Sequence, residues 1–231
     1  MRKHMRRFVL GDLHGGYKAL KQVLERADFH ADDKLILLGD VVDGWPETAQ
    51  CVEYLRQLPN LVFVRGNHDQ WFLDYINTGE KPRIWVEQGG RATLDSYRTG
   101  IPKSHARFFT ASTLFHIEDD CFFVHGGFDP QHMPELQADE VLMWDRDLIR
   151  RAWQAWKLGA PQQFSVFKRV YLGHTSIVRY KLTVPTIMGN VVGMDTGGGW
   201  EGKLALMNLD TDEYFQSDFV ADLYPGHQPR G

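Results

Sequence analysis

Short apolar runs along the chain repeatedly stop at a glycine with a polar residue beside it. Such runs are Arg7-Phe-Val-Leu-Gly-Asp12, Leu35-Ile-Leu-Leu-Gly-Asp40, Leu61-Val-Phe-Val-Arg-Gly-Asn67, Phe122-Phe-Val-His-Gly126 and Val170-Tyr-Leu-Gly-His174. Each reads as a buried strand that ends in a glycine turn. Between the first two, Leu20, Val23, Leu24 and Ala27 recur at helical spacing and predict an amphipathic helix over Tyr17 to Asp28. Val52, Leu55 and Cys51 predict a second helix over Thr48 to Leu58 in the same way. The opening is therefore β-α-β-α-β, which implies parallel strands joined by helical crossovers. A third helix is expected to begin near His68, with Trp71, Phe72, Tyr75 and Ile76 on its apolar side.

The pattern loosens after about residue 80 into loops and helices as far as Phe115, and includes the segment from Trp85 to Arg98 with its Gly89-Gly90 pair. A further helical stretch is predicted over Glu135 to Leu158. Strands return at 169–173, 190–195, 203–209 and 213–217, separated by turn residues such as Gly197, Gly198 and Gly199. The tail from Tyr224 to Gly231 holds Pro225, Gly226 and Pro229 and is expected to fray. No repeat, low-complexity tract or linker divides the chain, so residues 1–231 read as one domain.

Composition narrows the class. The 231 residues carry 26 Lys plus Arg against 30 Asp plus Glu, a formal charge of −4, which excludes a generic nucleic-acid binder. With 43% hydrophobic residues, a chain of this length can bury a sizeable core. Cys51 and Cys121 make no disulfide framework and read as free thiols in apolar surroundings. The basic start, Met1 to Arg7, is followed only by Phe8, Val9 and Leu10, too short a run for a signal peptide or a membrane span. The expectation is a soluble cytoplasmic protein without a membrane partner.

The candidate chemistry lies where the apolar runs stop. In an α/β sheet the loops at strand ends can converge on one point. Here they carry Asp12 and His14, Asp40 and Asp43, Asn67 and His68, His125, and His174. One Gly-Asp pair after a strand is ordinarily a turn, and one histidine beside a strand is ordinarily a hydrogen-bonded residue. Repetition of the pattern at five strand ends in order points instead to a shared site. Carboxylates and imidazoles together suit a divalent cation, and the oxygen and nitrogen mixture fits Mn, Fe or Zn better than Ca or Mg. Since one cation takes about four to six ligands, the set could serve two if a carboxylate bridges them.

In order, Gly11-Asp-Leu-His-Gly15, Gly39-Asp-Val-Val-Asp43, Gly66-Asn-His-Asp69, His125-Gly-Gly127 and Gly173-His-Thr175 resemble the signature of the calcineurin-like metallophosphoesterases. More narrowly they resemble its bacterial and phage serine/threonine-type phosphoprotein phosphatase branch. Trp85, Gly89-Gly90, Thr93 and Tyr97, and the segment Met143-Trp-Asp-Arg146, extend the likeness. The resemblance implies an α/β/β/α sandwich of two mixed β-sheets flanked by helices. It also implies two divalent ions, with Mn favoured over Fe or Zn. Asp12 and His14 would hold the first ion, Asp40 would bridge, and Asn67, His125 and His174 would hold the second. A metal-bridging hydroxide would attack phosphorus directly, without a covalent enzyme intermediate. His68 would be the general acid, with Asp43 fixing its tautomer, and Arg146 would clamp phosphate. Arg65, just before Gly-Asn-His, looks structural.

Two positions depart from the branch. Its second motif usually continues Asp-Arg-Gly, whereas this chain reads Asp43-Gly44-Trp45, and Asp69 stands where Glu is usual. Loss of a charge-assisted phosphate contact costs about 1.5–3 kcal/mol. Trp45 could offer a stacking surface, although packing is the commoner use of a tryptophan after a turn. Asp195 and Thr196, in the Met194-Asp-Thr-Gly-Gly-Gly-Trp200 stretch, are expected to satisfy turn amides. The expected activity is phosphomonoester hydrolysis of the serine/threonine phosphatase type, with a phosphoprotein, nucleotide or small phosphoester as substrate. The alternatives are a phosphodiesterase or dinucleotide polyphosphate hydrolase and, ranked lower, a non-catalytic protein-binding scaffold.

Overall fold

The computed structural model describes residues 5–229, so Met1 to His4 of the basic start and Arg230 and Gly231 of the tail lie outside the described residues. Strands β1 (Arg7–Leu10), β2 (Lys34–Leu37) and β3 (Leu61–Phe63) alternate with helices α1 (Tyr17–Arg26) and α2 (Thr48–Leu55), as the opening pattern predicts. The strands pair in parallel, with Val9 opposite Ile36 and Ile36 opposite Val62. There follow α3 (Asn67–Thr78), α4 (Arg83–Trp85), α5 (Arg91–Ser96), α6 (Lys103–Thr110), β4 (Phe115–Glu118) and β5 (Cys121–Val124). The remainder comprises α7 (Asp139–Trp144), α8 (Asp147–Lys157), β6 (Arg169–Leu172), β7 (Thr186–Met188), β8 (Val191–Gly193), β9 (Ala205–Asn208), β10 (Tyr214–Gln216) and α9 (Val220–Leu223).

Two five-stranded sheets result, in the orders β10-β9-β1-β2-β3 and β4-β5-β6-β8-β7. Both are mixed: β9 lies antiparallel between β10 and β1 in the first, and β4 and β7 pair antiparallel with β5 and β8 in the second. The two-residue period of a strand sorts its side chains into layers. Val9 and Ile36 meet Phe123, Tyr171 and Val192 between the sheets. Phe8, Leu10, Leu35 and Leu37 face the other way, onto Leu20, Val23, Val52 and Phe72 of the helices. Phe122, Val124, Val170 and Leu172 pack against Leu148, Ile149 and Ala152 of α8. The layering is α/β/β/α. Ile36, fully buried at its centre, would cost about 2–5 kcal/mol if cut back to Ala.

Some elements differ from the sequence pattern, each for a physical reason. β4 was hidden because it is a half-exposed edge strand without strict alternation. It reaches β5 through Asp119 and Asp120, whose φ values of 50° and 60° suit a tight hairpin. β7 likewise turns into β8 through Gly189 and Asn190. The stretch expected as one helix over 135–158 breaks at Asp145, which is extended at ψ 137°, and its Oδ2 accepts the Leu148 N–H at 3.1 Å. The tail is not frayed along the length described. Tyr224 is buried and stacks on Trp45 with ring centroids 5.3 Å apart, and His227 Nε2 lies 2.8 Å from the Gly44 carbonyl oxygen.

Candidate metal centre

Asp12 and His14 follow β1, Asp40 and Asp43 follow β2, and Asn67 and His68 open α3. His125 follows β5 and His174 follows β6. The strand ends of both sheets thus face a common cleft, walled in part by His14, Asp40, Asn67, His68, Arg146 and His174. The backbone is bent hard to bring them there. His14, Asp40, Asp43 and His174 sit at φ values of 48°, 48°, 70° and 59°, a region that non-glycine residues avoid at a cost of about 1–3 kcal/mol each. Ties between loops offset that cost. The Asp40 carbonyl accepts the N–H groups of Leu13 and His14 at 3.1 and 2.7 Å, and Asp12 Oδ2 accepts the His174 N–H at 2.8 Å. Gly66 admits the Asp40 carboxylate at a place where a Cβ would collide with it.

Two buried donor sets emerge: Asp12, His14 and Asp40, and Asp40, His125 and His174, each with its donor atoms within 4.8 Å of one another. Asp40 belongs to both. Asn67 Oδ1 lies 2.9 Å from His125 Nε2, which places the amide beside the second set. His14 and His125 engage the Val42 and Leu38 carbonyl oxygens through Nδ1, at 3.1 and 2.7 Å, and so turn Nε2 toward Asp40. A backbone carbonyl on the far ring nitrogen is the usual way to orient a ligating histidine.

The donor atoms fit a cation. Asp12 Oδ1 and His174 Nε2 are buried without a hydrogen-bond partner among the described residues. An orphaned buried polar atom costs about 1–3 kcal/mol, and these are a lone-pair donor of each kind, turned into a cluster of ligand-type atoms. Burial pushes the Asp12 carboxyl well above its usual range, with Asp195 adding to the rise. Burial depresses His14 to about 3 and His174 to about 2, which keeps both rings neutral and able to donate a lone pair. His125 goes the other way: burial opposes its charge, but Asp40 outweighs it and holds the ring up to about 10. Positive charge is therefore wanted next to Asp40, and a divalent cation would displace the proton that supplies it.

His68 and Asp43 lie at the edge of this cluster, with His68 Nδ1 2.6 Å from Asp43 Oδ2. Burial works against the imidazolium, yet Asp40 and Asp43 raise the His68 pKa above its ordinary value. Arg146 enters the cleft because the chain breaks beside it, and its guanidinium meets the His174 carbonyl oxygen and the Thr175 hydroxyl at 3.4 Å. Arg65 is structural, bonded to Ser112 and Gln70. Trp45 is fully buried, donates Nε1–H to the Gly198 carbonyl at 2.8 Å and has its face covered by Tyr224, so it packs and offers no stacking surface to a ligand. Gly44 has φ +81°, and its carbonyl carries the contact from His227.

The pattern gives no catalytic or cation-binding role to the other residues at the site. Trp85 Nε1–H and the Thr93 hydroxyl both donate to Asp43, at 2.9 and 2.7 Å; their place in the Trp…Gly-Gly…Thr stretch was the available signal. Asp69 accepts the N–H groups of Gly66 and Val41 at 2.9 and 2.8 Å, tying β2's loop to α3. Asp195 does satisfy the Gly197 amide, at 2.8 Å, but it also lines the cleft, where burial raises it to about 6. Thr196 donates to the Lys203 carbonyl instead of accepting from a turn amide. Trp71 and Trp200 line the cleft as well.

A two-sheet sandwich whose strand ends gather two donor sets around a shared aspartate has the layout of a metallophosphoesterase. The chain belongs to the calcineurin-like phosphoesterases, whose family pattern it matches over residues 5–174, and it is a metal-dependent phosphoesterase. It is 36% identical to serine/threonine-protein phosphatase 2 of Escherichia coli over 87% of this chain and 92% of that protein. It is 23% identical to the symmetrical bis(5'-nucleosyl)-tetraphosphatase of Pseudomonas entomophila over 96% of each. The crystal structure of a metallophosphoesterase from Sphaerobacter thermophilus aligns with a TM-score of 0.57 over 93% of this chain and 89% of that one, at 21% identity, a likeness of fold. Among the described residues no helix is long and apolar enough to cross a membrane.

Proposed function

We propose that this phosphoesterase hydrolyses phosphomonoesters at a dinuclear centre. Asp12 and His14 would hold one cation, Asn67, His125 and His174 the other, and Asp40 both. The observation that carries the reading is the position of Asp40: it belongs to both donor sets, and its Oδ1 accepts the His68 backbone N–H at 3.0 Å. Cation ligands and proton donor are thus fixed to a single side chain. When bound, two divalent ions supply Lewis acidity at the phosphoryl oxygens and lower the pKa of a water. Mn suits the oxygen and nitrogen donors, and Fe and Zn are compatible with them.

The chain's own residues do the rest. Arg146 binds phosphoryl oxygens with its fork of N–H donors. His68, held through Nδ1, delivers the proton on Nε2 to the leaving oxygen. Phosphoproteins, nucleotides and small phosphoesters share the group this arrangement would engage. A second reading, hydrolysis of a phosphodiester or dinucleotide polyphosphate, is favoured by Gly44, which cannot clamp a dianion. Hydrolysis of an alkyl phosphomonoester, its matching diester and a dinucleoside tetraphosphate by Mn-loaded protein separates the two. The monoester should be hydrolysed fastest; a faster diester or tetraphosphate rate overturns the first reading in favour of the second.

A further inference from the structure

Three tryptophan rings stand directly on the site's histidines, two on metal ligands and one on the proton donor. Ring centroids are 4.9 Å apart for Trp200 and His14, 5.0 Å for Trp71 and His68, and 5.6 Å for Trp144 and His174. Trp71 and Trp144 also meet edge to face at 5.2 Å and form a continuous wall. All three line the cleft, and Trp144 is 40% exposed at its mouth. Among the described cleft-lining residues the one arginine or lysine is Arg146, and Gly44 contributes no side chain to hold a phosphate. Beside Arg146 and the carboxylate, amide and imidazole groups of the site, the cleft wall is built from these three indoles with Ile84 and Gln88.

We infer that the cleft selects phosphomonoesters whose ester oxygen carries a planar aromatic ring, that is, aryl phosphates over alkyl phosphates. The inference rests on the phosphomonoesterase reading and names its substrate class. Distance carries the argument. Trp200 and Trp144 touch the ligand histidines His14 and His174, and Trp71 touches the proton donor His68, so a phosphoryl group held there places the first atoms beyond its ester oxygen against indole. An aryl ring attached at that oxygen packs on the wall at once. A serine side chain or a ribose puts aliphatic or polar atoms at the same place and forgoes the contact. Each well-placed aromatic pair adds about two- to tenfold in affinity beyond area burial.

Phenylphosphonate and cyclohexylphosphonate, which are similar in size and resist hydrolysis, test this at a pH above the second pKa of both, where each is a dianion. Dissociation constants on Mn-loaded protein are measured by calorimetry, with tryptophan fluorescence as a second readout. The phenyl compound should bind about fivefold or more tightly and quench fluorescence more strongly. Trp144→Ala and Trp200→Ala should each shrink the phenyl-to-cyclohexyl ratio by about threefold or more, and Trp200→Phe should recover most of it. Equal binding of the two compounds, or a ratio the substitutions leave intact, overturns aromatic selection while monoester hydrolysis stands. A protein that binds neither phosphonate and hydrolyses no monoester removes the underlying reading, and the inference with it.

Discussion

His68 Nδ1 donates to Asp43 Oδ2 across 2.6 Å, and Asp43 is wholly buried. Asp43 cannot turn away, because Trp85 and Thr93 donate to its two oxygens and its own N–H donates to the Thr93 hydroxyl at 2.8 Å. The imidazole is therefore held in one tautomer, with Nε2 toward the cleft. A carboxylate that orients an imidazole from behind is the arrangement a proton donor needs.

Replacing His68 with Ala should leave metal content intact while kcat on an alkyl phosphate falls by about 10²- to 10⁴-fold. The deficit should shrink as the leaving group becomes more acidic, since a good leaving group departs without a proton. Asp43→Asn should show the same leaving-group dependence with a smaller loss. A kcat series across leaving groups, with metal analysis of each variant, checks this. Full activity of His68→Ala on an alkyl phosphate would falsify the acid assignment.

Asp40 is common to both donor sets, whereas Asp12 belongs to one of them. Asp40→Asn should therefore strip bound metal and activity together, while Asp12→Asn should lose about half the metal. Elemental analysis of the purified variants reads the stoichiometry directly. In the unaltered protein, chelation should lower the melting temperature and Mn should restore it, because a ligand present at about 100 times its Kd stabilises the folded state by about 2.7 kcal/mol. A melting temperature indifferent to chelator and to Mn would contradict a buried metal centre.

How much of this was legible beforehand depended on range. The residues at strand ends could be read because a Gly beside a polar residue after an apolar run is a local signal, and the strands carry it in order. Trp71 was readable only as part of the apolar side of α3. It does pack partly against the helical core, but its place above His68 depends on where the N-terminus of α3 meets the second sheet. Trp200 follows three glycines that suggest only a turn. Tail docking was invisible for the same reason: Pro225 and Gly226 report local conformation, whereas the Tyr224 ring stacks on Trp45, far away in the chain. The entry of Arg146 into the cleft required the helix break at Asp145, and no proline or glycine marks it.

Arg146 stays open to solvent at the cleft, and the partial burial of its guanidinium together with Arg179 lowers its pKa from the usual arginine value while leaving it a cation. With Gly44 unable to assist, the phosphate grip should depend on it heavily. Arg146→Ala should raise KM for a monoester by about 10- to 100-fold, the equivalent of about 1.5–3 kcal/mol. Arg146→Lys should recover part of the loss, since an ammonium supplies charge without the planar fork. Steady-state kinetics on both variants decides the point; an unchanged KM in Arg146→Ala removes the clamp.

Asp33 tests the fold away from the cleft. Its carboxylate accepts two bonds from Arg6, at 3.1 and 2.6 Å, and the His30 N–H at 2.8 Å, closing the turn that feeds β2. Burial alone would raise its pKa, but Arg6 and the His30 amide outweigh it and hold the carboxyl below its usual value. A group with a depressed folded pKa stabilises fully above its unfolded pKa of about 3.9, and that contribution is lost as pH falls through the folded value. Asp33→Asn should therefore cost about 1–2 kcal/mol at pH 7, with the Arg6 side keeping some exposure that limits the figure. Urea unfolding of both proteins should show a constant gap at neutral pH that closes as the pH drops below about 4. A gap that persists unchanged in acid would mean that the turn's shape, and not the charge on Asp33, supplies the stability.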